Sequence, residues 1–116
     1  MGLPVVHFEI HGSDSHEMIA FYSEVFEWTV NADNPLKYGL VETNEDGKGI
    51  AGGICASEMA PVVLVYIQVD DPQSYLDKVE AAGGRTLLPV TEIPGAVTMA
   101  IFEDPAGNKM GLVKGE

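Results

Sequence analysis

Apolar and polar positions alternate along Val5-Val6-His7-Phe8-Glu9-Ile10-His11, the period of a β-strand. At Ser13-Asp14 the period changes to that of a helix. Asp14 with Glu17 three residues later is a start signal of the capping-box kind. Met18, Phe21, Tyr22, Val25 and Phe26 then fall on one apolar stripe, which predicts a helix packed on a sheet. Short strands are predicted over 28–30, 37–43 and 48–56, with Asn44-Glu45-Asp46-Gly47 as the turn between the last two. The same order then restarts. A strand covers Val62–Val69, Asp71 caps a helix with Pro72 at its first position, and Tyr75, Leu76, Val79 and Ala82 supply its buried face. Gly83-Gly84 stops that helix. Strands follow over 85–88, 97–103 and 109–114, the last two joined by the turn Asp104-Pro105-Ala106-Gly107-Asn108. The pattern predicts an α+β fold of two tandem βαβββ modules forming a curved mixed sheet around a cavity. The modules span 4–56 and 62–115, joined by 57–61, in a single domain over 1–116. Neither copy is large enough to close a core alone.

Composition adds two constraints. With 46% apolar and 21% charged residues, the chain reads as globular, and no apolar run approaches the length of a membrane span. Its start carries no basic region followed by a long apolar segment, so no secretory signal is read there. The single cysteine, Cys55, rules out an internal disulfide and fits a reducing compartment, so a cytoplasmic location is expected. The net charge of −12, from six basic and eighteen acidic residues, excludes a polyanion such as nucleic acid as partner. It suits a freely soluble protein or one that attracts a cationic ligand.

Candidate chemistry concentrates on the first strand. Alternation puts His7, Glu9 and His11 on one face and Phe8 and Ile10 on the other, which suits contact with the helix. Imidazoles beside a carboxylate can bind a divalent metal or shuttle protons. They can equally form a hydrogen-bonded Glu9/His7 pair in a wet groove, with His11 at a solvated strand end. Cys55 shares the face of Gly53, so a His7/Glu9/Cys55 set is conceivable, although a buried cysteine more often behaves as a small hydrophobe. Tyr66 and Gln68 occupy the corresponding face of the second module and can hydrogen-bond a ligand. Gly52-Gly53 and Gly111 interrupt strands, which marks bulges or close approach to the backbone.

The opening His7-Phe8-Glu9-Ile10, the segment Phe21-Tyr22-Ser23-Glu24-Val25-Phe26-Glu27-Trp28, the run Tyr66-Ile67-Gln68-Val69-Asp70-Asp71 and the closing Asp104-Pro105-Ala106-Gly107-Asn108-Lys109-Met110-Gly111-Leu112 occur in order over nearly the whole chain. Together they resemble the vicinal oxygen chelate superfamily of glyoxalase I, bleomycin-resistance proteins and extradiol dioxygenases, in particular its uncharacterised glyoxalase-like branch. The resemblance implies metal ligands on the first and last strands of each module. His7 matches the first such position, whereas Gly53, Leu64 and Gly111 stand at the other three and carry no ligand atom. No metal is therefore expected at the usual site, and the missing side chains are expected to leave ligand room near His7. The ligand-binding set is His7, Glu9, His11, Gly53, Cys55, Leu64, Tyr66, Gln68 and Gly111, with Glu9 and His7 the candidate acid–base pair. The function implied is binding of a small molecule by a homodimer without a cofactor. The alternatives are a metal-dependent lyase or isomerase resembling lactoylglutathione lyase, or an extradiol-type dioxygenase.

Overall fold

A computed structural model describes residues 2–43 and 45–115. Among the described residues are eight strands and two α-helices, a mixed α+β fold. The chain divides into two compact units, one of residues 7–64 and one of residues 1–6 with 65–116.

In the first of these units, β1 (Val5–Gly12) leads to α1 (Ser15–Phe26), β2 (Thr29–Asn31), β3 (Gly39–Glu42) and β4 (Gly52–Ala56). The strand order is β2-β3-β4-β1, with β4 parallel to β1 and the other neighbours antiparallel. Asp14 caps α1 as expected, its carboxylate accepting the Glu17 N–H. The β4 strand begins at Gly52, four residues later than expected, after Gly47 and Gly49, whose positive φ breaks the extended path. Of the expected turn at 44–47, Asn44 lies outside the described residues; Glu45–Gly47 is a tight turn with Asp46 in the left-handed region at φ 56°.

The apolar stripe of α1 departs from expectation. No residue of the helix is buried, and Phe21, Val25 and Phe26 are 53%, 52% and 55% exposed. The helix is turned so that Met18 reaches the Gly12 backbone, Ile19 lies against Gly39 and Tyr22 stacks on Trp28 at 5.0 Å. Phe21 and Val25 sit beside that line of contact. Trp28 in turn meets Phe8, so the helix-facing side of β1 is as predicted.

The second unit repeats the topology. β5 (Val62–Val69), α2 (Pro72–Ala81), β6 (Arg85–Glu92), β7 (Thr98–Glu103) and β8 (Lys109–Lys114) take the order β5-β8-β7-β6, with β5 and β8 parallel. Asp71 caps α2 by accepting from Gln73 and Ser74 N–H. Val79 C=O accepts from Gly84 beyond the helix end, with Gly83 at positive φ as a stop requires. Leu76 packs into a core with Val69, Ala100, Phe102 and Leu112. The unit's helix is thus anchored by buried apolar area, the dominant favourable contribution to folding.

Candidate functional site

The polar residues of β1 come together within the 7–64 unit. The parallel register sets Glu9 opposite Gly53 and His11 opposite Cys55, so all four share one face of the sheet. Glu9 and His11 are only 9% and 6% exposed, and burial obliges both to find partners. His11 Nε2 lies 2.6 Å from Glu9 Oε1, and its Nδ1 lies 2.7 Å from the Ser57 hydroxyl. The other Glu9 oxygen accepts from Tyr38 Oη at 2.8 Å, and Tyr38 Oη lies 2.9 Å from His7 Nε2. The Met59 N–H donates to Ser57 Oγ. The result is a continuous hydrogen-bonded string, His7–Tyr38–Glu9–His11–Ser57. His11 is therefore not at a solvated strand end. Its partners Glu9 and Ser57 compensate the desolvation of the ring.

Tyr38 and Ser57 are absent from the sequence-derived set, and both come from loops. Tyr38 sits just before β3, where a strand was expected from Lys37. Instead Lys37 adopts a positive φ, and Asn34 grips the Tyr38 backbone from both sides, its amide donating to Tyr38 C=O and its carbonyl accepting Tyr38 N–H. The Asn34-Pro35 pair, a turn signal, is the only hint in the sequence.

The clamp aims Tyr38 at Gly53. A Cβ on residue 53 would stand 1.8 Å from Tyr38 Oη, so only glycine lets the hydroxyl lie there. Space left by the missing side chain is thus taken by the tyrosine rather than left as ligand room. The second unit solves the same problem differently. Tyr66 is paired with Gly111, and a Cβ there would meet its ring at 2.4 Å. Tyr66 is buried, as is Leu64, whereas Gln68 is exposed and lines a cleft of about 300 Å³ with Asp70, Tyr75 and Gly115.

Burial also sets the protonation of the flanking groups. Desolvation holds His7 below its ordinary value of 6.5, against the opposing pull of the Glu9 charge, so the imidazole is neutral at neutral pH. Desolvation, with Glu9 adding to it, pushes the Cys55 thiol up to about 12. That thiol is not a nucleophile at neutral pH.

Glu9, His11 and Cys55 form a group able in principle to hold a divalent metal, their donor atoms all lying within 4.8 Å of one another. Their arrangement is that of hydrogen bonds through the imidazole. Glu9 lies at Nε2, whereas Cys55 Sγ lies 3.6 Å from Nδ1. The two ring nitrogens point their donor directions apart, so one ion cannot meet both neighbours without rotation of the ring. As arranged, His11 engages Glu9 and Cys55 through different ring nitrogens.

The comparisons with known proteins agree with this architecture. The chain is 28% identical over 112 residues to the putative glyoxylase CFP32 of Mycobacterium tuberculosis, covering 90% of this chain and 42% of that protein. It is 27% identical over 117 residues to the anthracycline biosynthesis protein DnrV of Streptomyces peucetius, covering 86% and 42%. The chain thus spans less than half the length of the curated relatives it matches. Among solved structures, the methylmalonyl-CoA epimerase of M. tuberculosis shares the fold with a TM-score of 0.68 at 14% identity, over 97% of this chain and 87% of that one. A superfamily member from Vibrio splendidus 12B01 gives 0.65 at 18% identity, over 98% and 100%. A sequence model of one family matches residues 5–112, and the chain belongs to it: the glyoxalase/bleomycin resistance protein/dioxygenase superfamily.

Proposed function

We propose that this chain binds a small molecule through the polar site on β1, using hydrogen bonds and proton transfer in place of the superfamily's usual metal centre. One observation carries the reading: Tyr38 Oη occupies the space above Gly53 and is hydrogen-bonded to both His7 and Glu9. At a position where the family resemblance implies a metal ligand, the chain offers a hydroxyl. Small-molecule binding is also consistent with the names of the curated relatives, a glyoxylase and a protein of anthracycline biosynthesis. On this reading the ligand set is His7, Glu9, His11, Cys55 and Tyr38, and the working form is a cytoplasmic homodimer, for which the exposed apolar residues of α1 are a candidate contact. The test is to titrate chelator-treated protein with small carbonyl compounds and with cationic aromatic compounds while following the His7 and Tyr38 resonances. Binding that survives chelation supports the reading. Recovery of binding only with stoichiometric zinc, nickel or iron overturns it.

A second reading is a lyase- or isomerase-type enzyme acting on a small carbonyl compound. It is favoured by His7, a neutral imidazole joined through a hydroxyl to a carboxylate, which is how a general base is built. Its substrate carries an acidic C–H beside a carbonyl. Protein-dependent loss of that C–H signal in deuterated water supports it; unchanged spectra with bound compound count against it. The dioxygenase alternative needs two imidazoles and a carboxylate gathered on one iron. Here His7 and His11 are strung on opposite sides of Glu9, and no observation favours that chemistry.

A further inference from the structure

We propose that the unit of residues 1–6 and 65–116 carries a binding site of its own, a cleft at the end of β5 that takes a small alkylammonium compound. The proposal does not rest on the β1 site. It comes from comparing the ends of the two leading strands. In the register of β1 with β4, His11 is paired with Cys55, and Ser57 two residues on holds its ring. In the register of β5 with β8, Gln68 is paired with Val113, and the residue two further on is Gly115. A glycine has no hydroxyl to offer. It leaves room instead, and the Gln68 side chain lies across it: a Cβ on residue 115 would stand 2.6 Å from Gln68 Cγ. His11 is buried, whereas Gln68 is exposed and lines a cleft of about 300 Å³.

The groups around this cleft select its ligand. Neither the Gln68 amide nor the Asp70 carboxylate has a hydrogen-bond or ion-pair partner among the described residues. Asp71 beside them is committed to capping α2, so Asp70 is the carboxylate left to meet a ligand. Leu3 and Pro4 supply an apolar wall. Tyr75 adds a ring that already attracts a cation, with Lys78 Nζ 4.3 Å from its centre. A carboxylate and an amide carbonyl both accept hydrogen bonds from an ammonium group, and the apolar wall suits a short hydrocarbon chain. An anion would meet Asp70 uncompensated, on a chain of net charge −12. The volume is at the lower end for ligand clefts, which suits a small compound rather than a polymer.

The test is an NMR titration of ¹⁵N-labelled protein with n-butylammonium, against butyrate as its counterpart of opposite charge, at constant ionic strength. Saturable shifts are expected at the backbone amides of Gln68, Asp70 and Gly115 with the ammonium compound and not with butyrate. A ligand this small should bind with a dissociation constant in the millimolar range. Asp70→Asn, at an exposed position, weakens binding about fivefold, the upper end of what a solvent-exposed ion pair contributes. Gly115→Ala displaces Gln68 and weakens binding about threefold, the loss of one modest hydrogen bond. Shifts that rise without saturating, equal shifts with butyrate, or an Asp70→Asn affinity equal to that of the wild type overturn the proposal. His7 and Tyr38 report on the β1 site separately, so the two readings stand or fall apart.

Discussion

At the scale of the residue, the site depends on a pairing between a tyrosine and a glycine that are neighbours only in space. Gly53→Ala puts a methyl group where Tyr38 Oη lies, and the hydroxyl must swing away from His7 and Glu9. The expected cost is about 1–3 kcal/mol, from overpacking and from partners left unsatisfied. In a Tyr38→Ala background the methyl group has room, so urea denaturation should show a coupling of about 1–2 kcal/mol between the two sites. His7 makes a pH prediction. Its folded value lies below the unfolded 6.5, so the unfolded chain binds the proton more readily. Its contribution is fully present above 6.5 and is lost as pH falls from there through the lower folded value. Denaturation midpoints measured across that window should decline less in His7→Gln than in the wild type. At Cys55, the thiol raised to about 12 should react with iodoacetamide at pH 8 at least ~100-fold more slowly than a thiol in an unfolded peptide. His7, Glu9, His11 and Cys55 were legible as one face because strand alternation fixes direction. Tyr38, Asn34 and Ser57 were not, because they lie on loops, where no periodicity fixes the path of the backbone.

At the scale of the element, the two helices contrast. Both start where their Asp caps predicted, and β5 and β8 match their expected limits, since cap chemistry and alternation are local signals. What failed was the phase of α1. Spacing defines a stripe on a helix, but the small residues beneath it decide which edge of that stripe touches the sheet. Gly12 and Gly39 admit Met18 and Ile19, which rolls Phe21 and Val25 outward. The onset of β4 failed for a related reason: Gly49, inside the expected run, takes a positive φ, so the extended backbone starts only after it. The contrast predicts that Leu76→Ala, in the core beneath α2, costs about 2–5 kcal/mol. Val25→Ala on α1 should cost no more than about 0.5 kcal/mol. Thermal or urea unfolding of the two variants checks this.

At the scale of the whole molecule, the charge of −12 governs what can approach. Retention on an immobilised polyanion such as heparin is expected to be absent at ~0.1 M ionic strength, since contact with phosphate- or sulfate-rich polymers needs clustered cations. If copies of the chain pair as proposed, each carries the same charge, so sedimentation should show the dimer gaining population as salt screens that repulsion over ~10 Å. The order βαβββ twice over was fully legible in the sequence, because each copy repeats its own start and stop signals. The way each copy treats its strand glycine was not. One covers Gly111 with Tyr66, a residue of the adjoining strand, and the other covers Gly53 with Tyr38, delivered by the loop that Asn34 clamps. A strand residue has its direction fixed by the register of its strand. A loop residue is free of that constraint. The hydroxyl of the proposed site is therefore portable: replacing the short segment ahead of β3 would remove it from the polar string without touching a strand pairing, so variation at this place lies in the first half of the repeat.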